Sequence, residues 1–171
     1  MTGPGPVQGG ARQRLERILA RIEAAARRAG RDPSGVTLVG VTKTVPPNRI
    51  VEAVRAGLSH LGENRLQEAE TKVSAEGLAG LPLTWHLVGH LQSNKAKRAA
   101  ELFSWVHSID SVDLARRLGR LAAGRAVPLK VLIQVDLGHE PTKHGVDVSQ
   151  LEELARETAG QKPLELRGLM T

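Results

Sequence analysis

The 171-residue chain reads as an α/β protein built on a parallel sheet, and three observations carry that reading. Short apolar runs alternate with stretches of helical periodicity. Nearly every run ends in a cluster of polar residues. No solenoid repeat and no second-domain linker interrupts the pattern. Six βα-type units of this kind imply right-handed crossovers and parallel pairing. Between a doubly wound sheet and a (β/α)8 barrel the spacing leaves the choice open. A barrel usually needs roughly 250 residues, and this chain stops after its sixth strand.

The elements follow in order. Leu15, Ile18, Leu19, Ile22 and Ala26 recur at helical spacing. Gly30 stops that helix, and Asp32-Pro33-Ser34-Gly35 makes a turn. A strand at about 37–42 precedes a helix at about 47–56, which Gly57 ends. Strands near 59–63 and 84–89 lead into helices at about 65–76 and 93–102. A strand near 105–109 is followed by Asp110-Ser111, an N-cap for a helix carrying Leu114, Leu118 and Leu121. The strongest strand, Leu129–Val135, precedes the loop Gly138–Gly145 and a helix near 149–159, and a sixth strand spans about 164–169.

Composition excludes several classes. There is no cysteine, so disulfide and thiolate chemistry are out and a reducing, cytoplasmic setting is expected. No apolar stretch reaches the length of a membrane span. Met1–Gly10 is Gly/Pro-rich, without a signal-peptide core, and is expected to be disordered. The 24 Lys+Arg against 18 Asp+Glu give a net charge of +6. Many of the arginines sit beside glutamates on helix faces. With two Trp, one Phe and no Tyr there is little to stack on bases, so nucleic acid is not the expected partner.

The strand ends carry the chemistry. In a parallel sheet they share one face, so Lys43, Asn64, His86 or His90, Ser108 and Met170 could converge there. Lys43 closes the run Leu38–Val41 and is bracketed by Val39 and Val41. Partial desolvation of such an amine leaves it free to attack a carbonyl. The plain alternative is a lysine that snorkels at a sheet edge. Gly62-Glu63-Asn64 reads either as a turn, with Asn64 in the left-handed region, or as an amide held toward a ligand. Gln92-Ser93-Asn94-Lys95 reads as an N-cap opening a basic helical turn, whose free N–H groups also suit an anion. No metal is expected. His86 and His90 lie on a strand broken by Gly89, with no carboxylate or third ligand at metal spacing. Neither a GxGxxG nor a Walker sequence occurs.

These motifs resemble the pyridoxal phosphate homeostasis protein family from about Leu38 to Thr171. The similarity rests on Lys43-Thr44 after the first strand, Gly62-Glu63-Asn64, Trp85-His86 leading into Gly89–Lys95, His107–Ser111 and Arg167–Thr171. The resemblance implies a TIM-type (β/α) barrel like the alanine racemase N-terminal domain, here incomplete at about six of eight strands. A single domain would span 11–171. It implies pyridoxal 5′-phosphate as cofactor, held as a Schiff base on Lys43. Asn64 and His86 would line its ring and Met170 would pack against it. It further implies a protein that carries and buffers the cofactor without established turnover, delivers it to apo-enzymes that use it, and exists as monomer or homodimer.

The rival is a pyridoxal-phosphate-dependent amino-acid racemase or lyase of the same fold. Racemisation needs acid–base groups on both faces of the cofactor adduct. Alanine racemase draws one from a tyrosine, and this chain has no tyrosine. Two departures from the family pattern stand out. Val135-Asp136 replaces the usual Val-Asn at the fifth strand. The two further βα units, with the Ser/Gly-rich phosphate cup and the arginine facing the pyridine nitrogen, lie beyond Thr171. Weaker cofactor retention than in a longer relative is the resulting expectation.

Overall fold

The computed structural model describes residues 10–138 and 144–171. The expected disorder of Met1–Gly10 therefore falls outside the described residues except at Gly10, and so does most of the Gly138–Gly145 loop.

Six strands form one sheet: β1 Gly40–Val41, β2 His60–Glu63, β3 Thr84–Leu87, β4 Trp105–Ile109, β5 Leu129–Gln134 and β6 Leu164–Met170. All neighbours are parallel and the spatial order is β1-β2-β3-β4-β5-β6. A doubly wound sheet reverses its strand order at a switch point. Here the order never reverses, so the open choice resolves in favour of a singly wound, barrel-type sheet. It is not closed, because β1 and β6 are edges.

The six helices are α1 Ala11–Arg28, α2 Pro47–Arg55, α3 Leu66–Val73, α4 Ala96–Leu102, α5 Val112–Ala122 and α6 Leu151–Ala159. α1 packs against α2, and α3, α4, α5 and α6 pack in succession. Residue alternation in β5 sorts the two faces of the sheet. Leu129, Val131 and Ile133 are buried, while Lys130, Leu132 and Gln134 are half-buried. The buried set joins Leu61, Leu87, Val106 and Ile109 from neighbouring strands and Ile50, Ala99, Phe103, Leu114, Leu118 and Leu154 from the helical side. The other face, the inside of a barrel wall, leaves Val41 49% exposed.

Two glycines act where the sequence placed them. After α1, Gly30 (φ 65°) puts its N–H on the Arg27 carbonyl and lets Arg31 reach back to Ala26. After α2, Gly57 (φ 115°) does the same with Val54, and Leu58 bonds Ala53. Both are Schellman stops, in which a residue free of Cβ strain takes the left-handed position. Ser111 caps α5, its Oγ accepting from Leu114 N–H at 3.4 Å.

Other expectations are corrected. The first strand is two laddered residues, not six, because an edge strand has a partner on one side only. Of the α1 stripe only Ala26 is buried, and Ile18 and Leu19 stay 43% and 46% exposed. Gln92-Ser93-Asn94-Lys95 is no capping element. Ser93–Lys95 is a single 3-10 turn, and neither it nor α4 has a side-chain cap. Asn64 is not left-handed; among the described non-glycine residues that conformation belongs to Thr44 (φ 61°).

Candidate functional site

β-ladder register fixes which side chains share a level on the inner face. Val41 pairs with Gly62, Gly62 with His86, His86 with Trp105, Trp105 with Lys130 and Lys130 with Glu165. Bonds from Thr42 N–H to Gly62 O (2.8 Å) and from Val88 N–H to Glu63 O (2.9 Å) carry the ladder onward. Beyond the ladder, Lys43 follows Thr42 in the turn after β1 and Asn64 follows the last residue of β2, while His107 lies within β4 two residues past Trp105.

Lys43 is exposed at the carboxyl end of β1, and Asn64 and Met170 are half-buried at the ends of β2 and β6. The expected desolvation of Lys43 is absent from the described residues, because the inner face of an open sheet meets solvent. Asn64 also borders a cleft of ≈ 640 Å³ between the ends of β2 and β3, lined by Arg65, Gln67, Glu68, His90 and Lys95 among others. Lys43 does not line that cleft. Gly89 permits the close approach there: a Cβ on it would sit 2.2 Å from the Asn64 carbonyl oxygen.

His86 lies inside β3, in register through Gly62 with Val41, and is 2% exposed. Both of its ring nitrogens are engaged, Nε2 with His60 Nδ1 and Nδ1 with His107 Nε2, each at 2.9 Å. Trp105 stacks on it at 5.5 Å and 16°, and the Lys130 ammonium sits 5.4 Å from the Trp105 ring centre. Burial, then the fields of His107, His60 and Lys130, push His86 down to about 3. Burial lowers His107, and burial with Lys130 lowers His60. All three rings are therefore neutral near pH 7. Each has one N–H and one acceptor, so His86 donates to one neighbour and accepts from the other. The result is a chain of imidazoles climbing the inner face across β2, β3 and β4.

Ser108 does not join this face. It is fully buried on the opposite side of β4, and its Oγ has no hydrogen-bond partner among the described residues. β4 shifts register between Val106 and Ile109, so strict alternation does not carry through Ser108. His90 lies beyond β3, with its Nδ1 3.2 Å from Asp110 Oδ2 and its ring stacked on His144 at 3.6 Å and 12°. Sequence spacing showed no third ligand near His90, yet folding brings this His–Asp–His set within 4.8 Å. Ring lone pairs lie in the ring planes, so two stacked imidazoles cannot both aim at one ion. The arrangement suits a histidine–aspartate pair covered by a second ring.

Sequence reading missed His60, His107, Trp105 and Lys130. Their signal was present as period-two alternation around each strand, but which alternate face was the inner one came only from the fold. The donor set also bears on the cofactor that the motifs implied. An exposed primary amine, a strand-end amide and an aromatic and imidazole floor suit a flat, aldehyde-bearing ring.

Known proteins share this chain's sequence and fold. The chain matches the alanine racemase N-terminal domain family over residues 13–171. It is 45% identical over 158 residues to the pyridoxal phosphate homeostasis protein of Pseudomonas aeruginosa, spanning 92% of this chain and 68% of that one. The solved structure of PipY from Synechococcus elongatus, with pyridoxal phosphate bound, is 41% identical with a TM-score of 0.73, covering 89% of this chain and 69% of PipY. A histidine racemase from Leuconostoc mesenteroides, 17% identical with a TM-score of 0.63 over 94% of this chain and 42% of its own, shares the fold. The chain thus belongs to the alanine racemase N-terminal domain family and, within it, to the pyridoxal phosphate homeostasis proteins.

Proposed function

We propose that this chain binds pyridoxal 5′-phosphate through a Schiff base on Lys43 and carries and buffers the cofactor within the cell. The observation that carries the reading is an exposed amine at the carboxyl end of β1, in a chain 41% identical to a protein described with pyridoxal phosphate bound. When bound, the cofactor supplies an aldehyde that condenses reversibly with an amine. The chain's own residues do the rest. Asn64 and Met170 flank the ring from the ends of β2 and β6. His86, held by His60 and His107, forms the floor. Lys43 faces solvent, so an incoming amine can reach it and take the cofactor away, which is what a carrier requires.

Catalytic turnover is not part of this reading. The inner-face imidazoles are committed to one another, and the chain has no tyrosine to act as the second acid–base group. Delivery to apo-enzymes, a cytoplasmic setting, a monomeric or homodimeric state and a single domain over 11–171 complete the proposal. No helix among the described residues is long and apolar enough to cross a membrane.

The test is borohydride reduction after incubation with pyridoxal phosphate, followed by peptide mass mapping. One pyridoxyl adduct on Lys43, absent in Lys43→Ala, is the expected result. Labelling scattered over several lysines would overturn it.

A further inference from the structure

The turn that carries Lys43 is unusual in its sequence. Val45 N–H bonds Thr42 O at 3.0 Å, closing a four-residue turn with Lys43 and Thr44 at its centre. Thr44 has φ 61°, while Lys43 is not among the positive-φ residues. That is the pattern of a type II turn, whose third position normally takes glycine. A β-branched residue there is strained, and such strain persists only where the surroundings over-determine it.

The surroundings do so from α3. Glu68 Oε2 accepts the Thr44 N–H at 3.0 Å. That bond is the main reason its carboxyl is held below the ordinary glutamate range. Lys72, one helical turn along, donates to Glu68 Oε2 at 3.3 Å. The same ammonium donates to the Thr42 carbonyl at 2.7 Å and to Glu63 Oε1 at 2.7 Å. Thr42 Oγ1 closes the network by donating to Glu63 Oε1. Lys72, Glu63 and Thr42 are buried. The peptide units on either side of Lys43 are therefore both tied to one ion-pair network, while the Lys43 side chain itself is exposed.

We propose that Glu68 and Lys72 are positioning residues for Lys43: they hold the Thr42–Val45 turn in its strained form and so aim the reactive amine across the inner face. The inference rests on Lys43 being the cofactor lysine, and it goes further by assigning the geometry of that amine to α3. Glu68 and Lys72 need never touch the cofactor. They act through the backbone.

The test uses the full chain and four forms: wild type, Glu68→Ala, Glu68→Gln and Glu68→Ala/Thr44→Gly. The readouts are amide hydrogen exchange at Thr44 without cofactor, and the share of pyridoxyl label on Lys43 relative to all other lysines of the same molecule. In Glu68→Ala, exchange at Thr44 is expected to quicken at least ten-fold and the Lys43 share to fall at least five-fold, with circular dichroism unchanged. Glu68→Gln keeps an acceptor in place and is expected to lose less than two-fold. Thr44→Gly removes the strain, so in the double variant the Lys43 share returns to within two-fold of wild type. A direct field of Glu68 on Lys43 would not be restored by that glycine, and an unrestored double variant overturns the proposal. So does an unchanged Lys43 share in Glu68→Ala despite fast Thr44 exchange, which leaves Lys43 as the cofactor lysine. If wild type fails to label Lys43 selectively, the cofactor assignment itself fails and the positioning role falls with it.

Discussion

Replacing His86 with glutamine should flatten the acid dependence of stability. In the folded chain His86 is held neutral, down to about 3 from an ordinary 6.5, because it is buried between His60, His107 and Trp105 near Lys130. Its folded value is depressed, so the unfolded chain binds the proton first as pH falls. The neutral ring's contribution is whole above pH 6.5 and is lost progressively between 6.5 and about 3. At pH 5.5, one unit below the unfolded value, the loss is roughly 1–2 kcal/mol. Urea unfolding followed by circular dichroism at pH 7.5 and 5.5 measures it. His86→Gln is expected to be less stable than wild type at pH 7.5, having lost two ring hydrogen bonds. The diagnostic is the difference in stability between the two pH values, which should shrink by roughly 1–2 kcal/mol in the variant. The lowered values of His60 and His107 arise chiefly from burial and should survive the change. Identical pH differences in the two proteins would refute the picture of a neutral, buried imidazole chain.

Three further outcomes follow from the packing. Gly89→Ala drives a Cβ into the Asn64 backbone at 2.2 Å. The ends of β2 and β3 must part, at a cost of about 1–3 kcal/mol, and a urea midpoint together with a cofactor titration should show lost stability and weakened binding. Lys72→Met leaves Glu63, fully buried, without its ion-pair partner. Unfolding free energy should drop by about 3–5 kcal/mol, and a variant as stable as wild type would remove Lys72 from the network. Phe103→Ala empties a core site that is 1% exposed, and calorimetric melting should register about 3–5 kcal/mol.

Much of the site was legible because strand-end chemistry follows from local pattern. The run Leu38–Val41 ending in Lys43 predicts an amine at a strand's carboxyl end, and there it lies. Gly30 and Gly57 marked helix stops that need no long-range information, since a left-handed residue after a helix is a local demand. The strand at 105–109 and the Ser111 cap were equally local. Errors fell where neighbours decide. Leu38 and Val39 have the composition of a strand, but pairing on one side only left a two-residue ladder. The positive φ went to Thr44, not Asn64, because Glu68 on a different element receives its N–H.

Sequence alone determined the alternation of strand and helix, the parallel pairing it entails, a lysine at the end of the first strand and the family to which its motifs point. These depend on residue periodicity and on groups a few positions apart. Only the tertiary structure decided that the strand order runs without reversal, that His60, His86 and His107 meet although they are 26 and 21 residues apart, and that α3 pins the turn around Lys43. The physical reason is register: a parallel ladder chooses which distant side chains share a level, and no local preference carries that information.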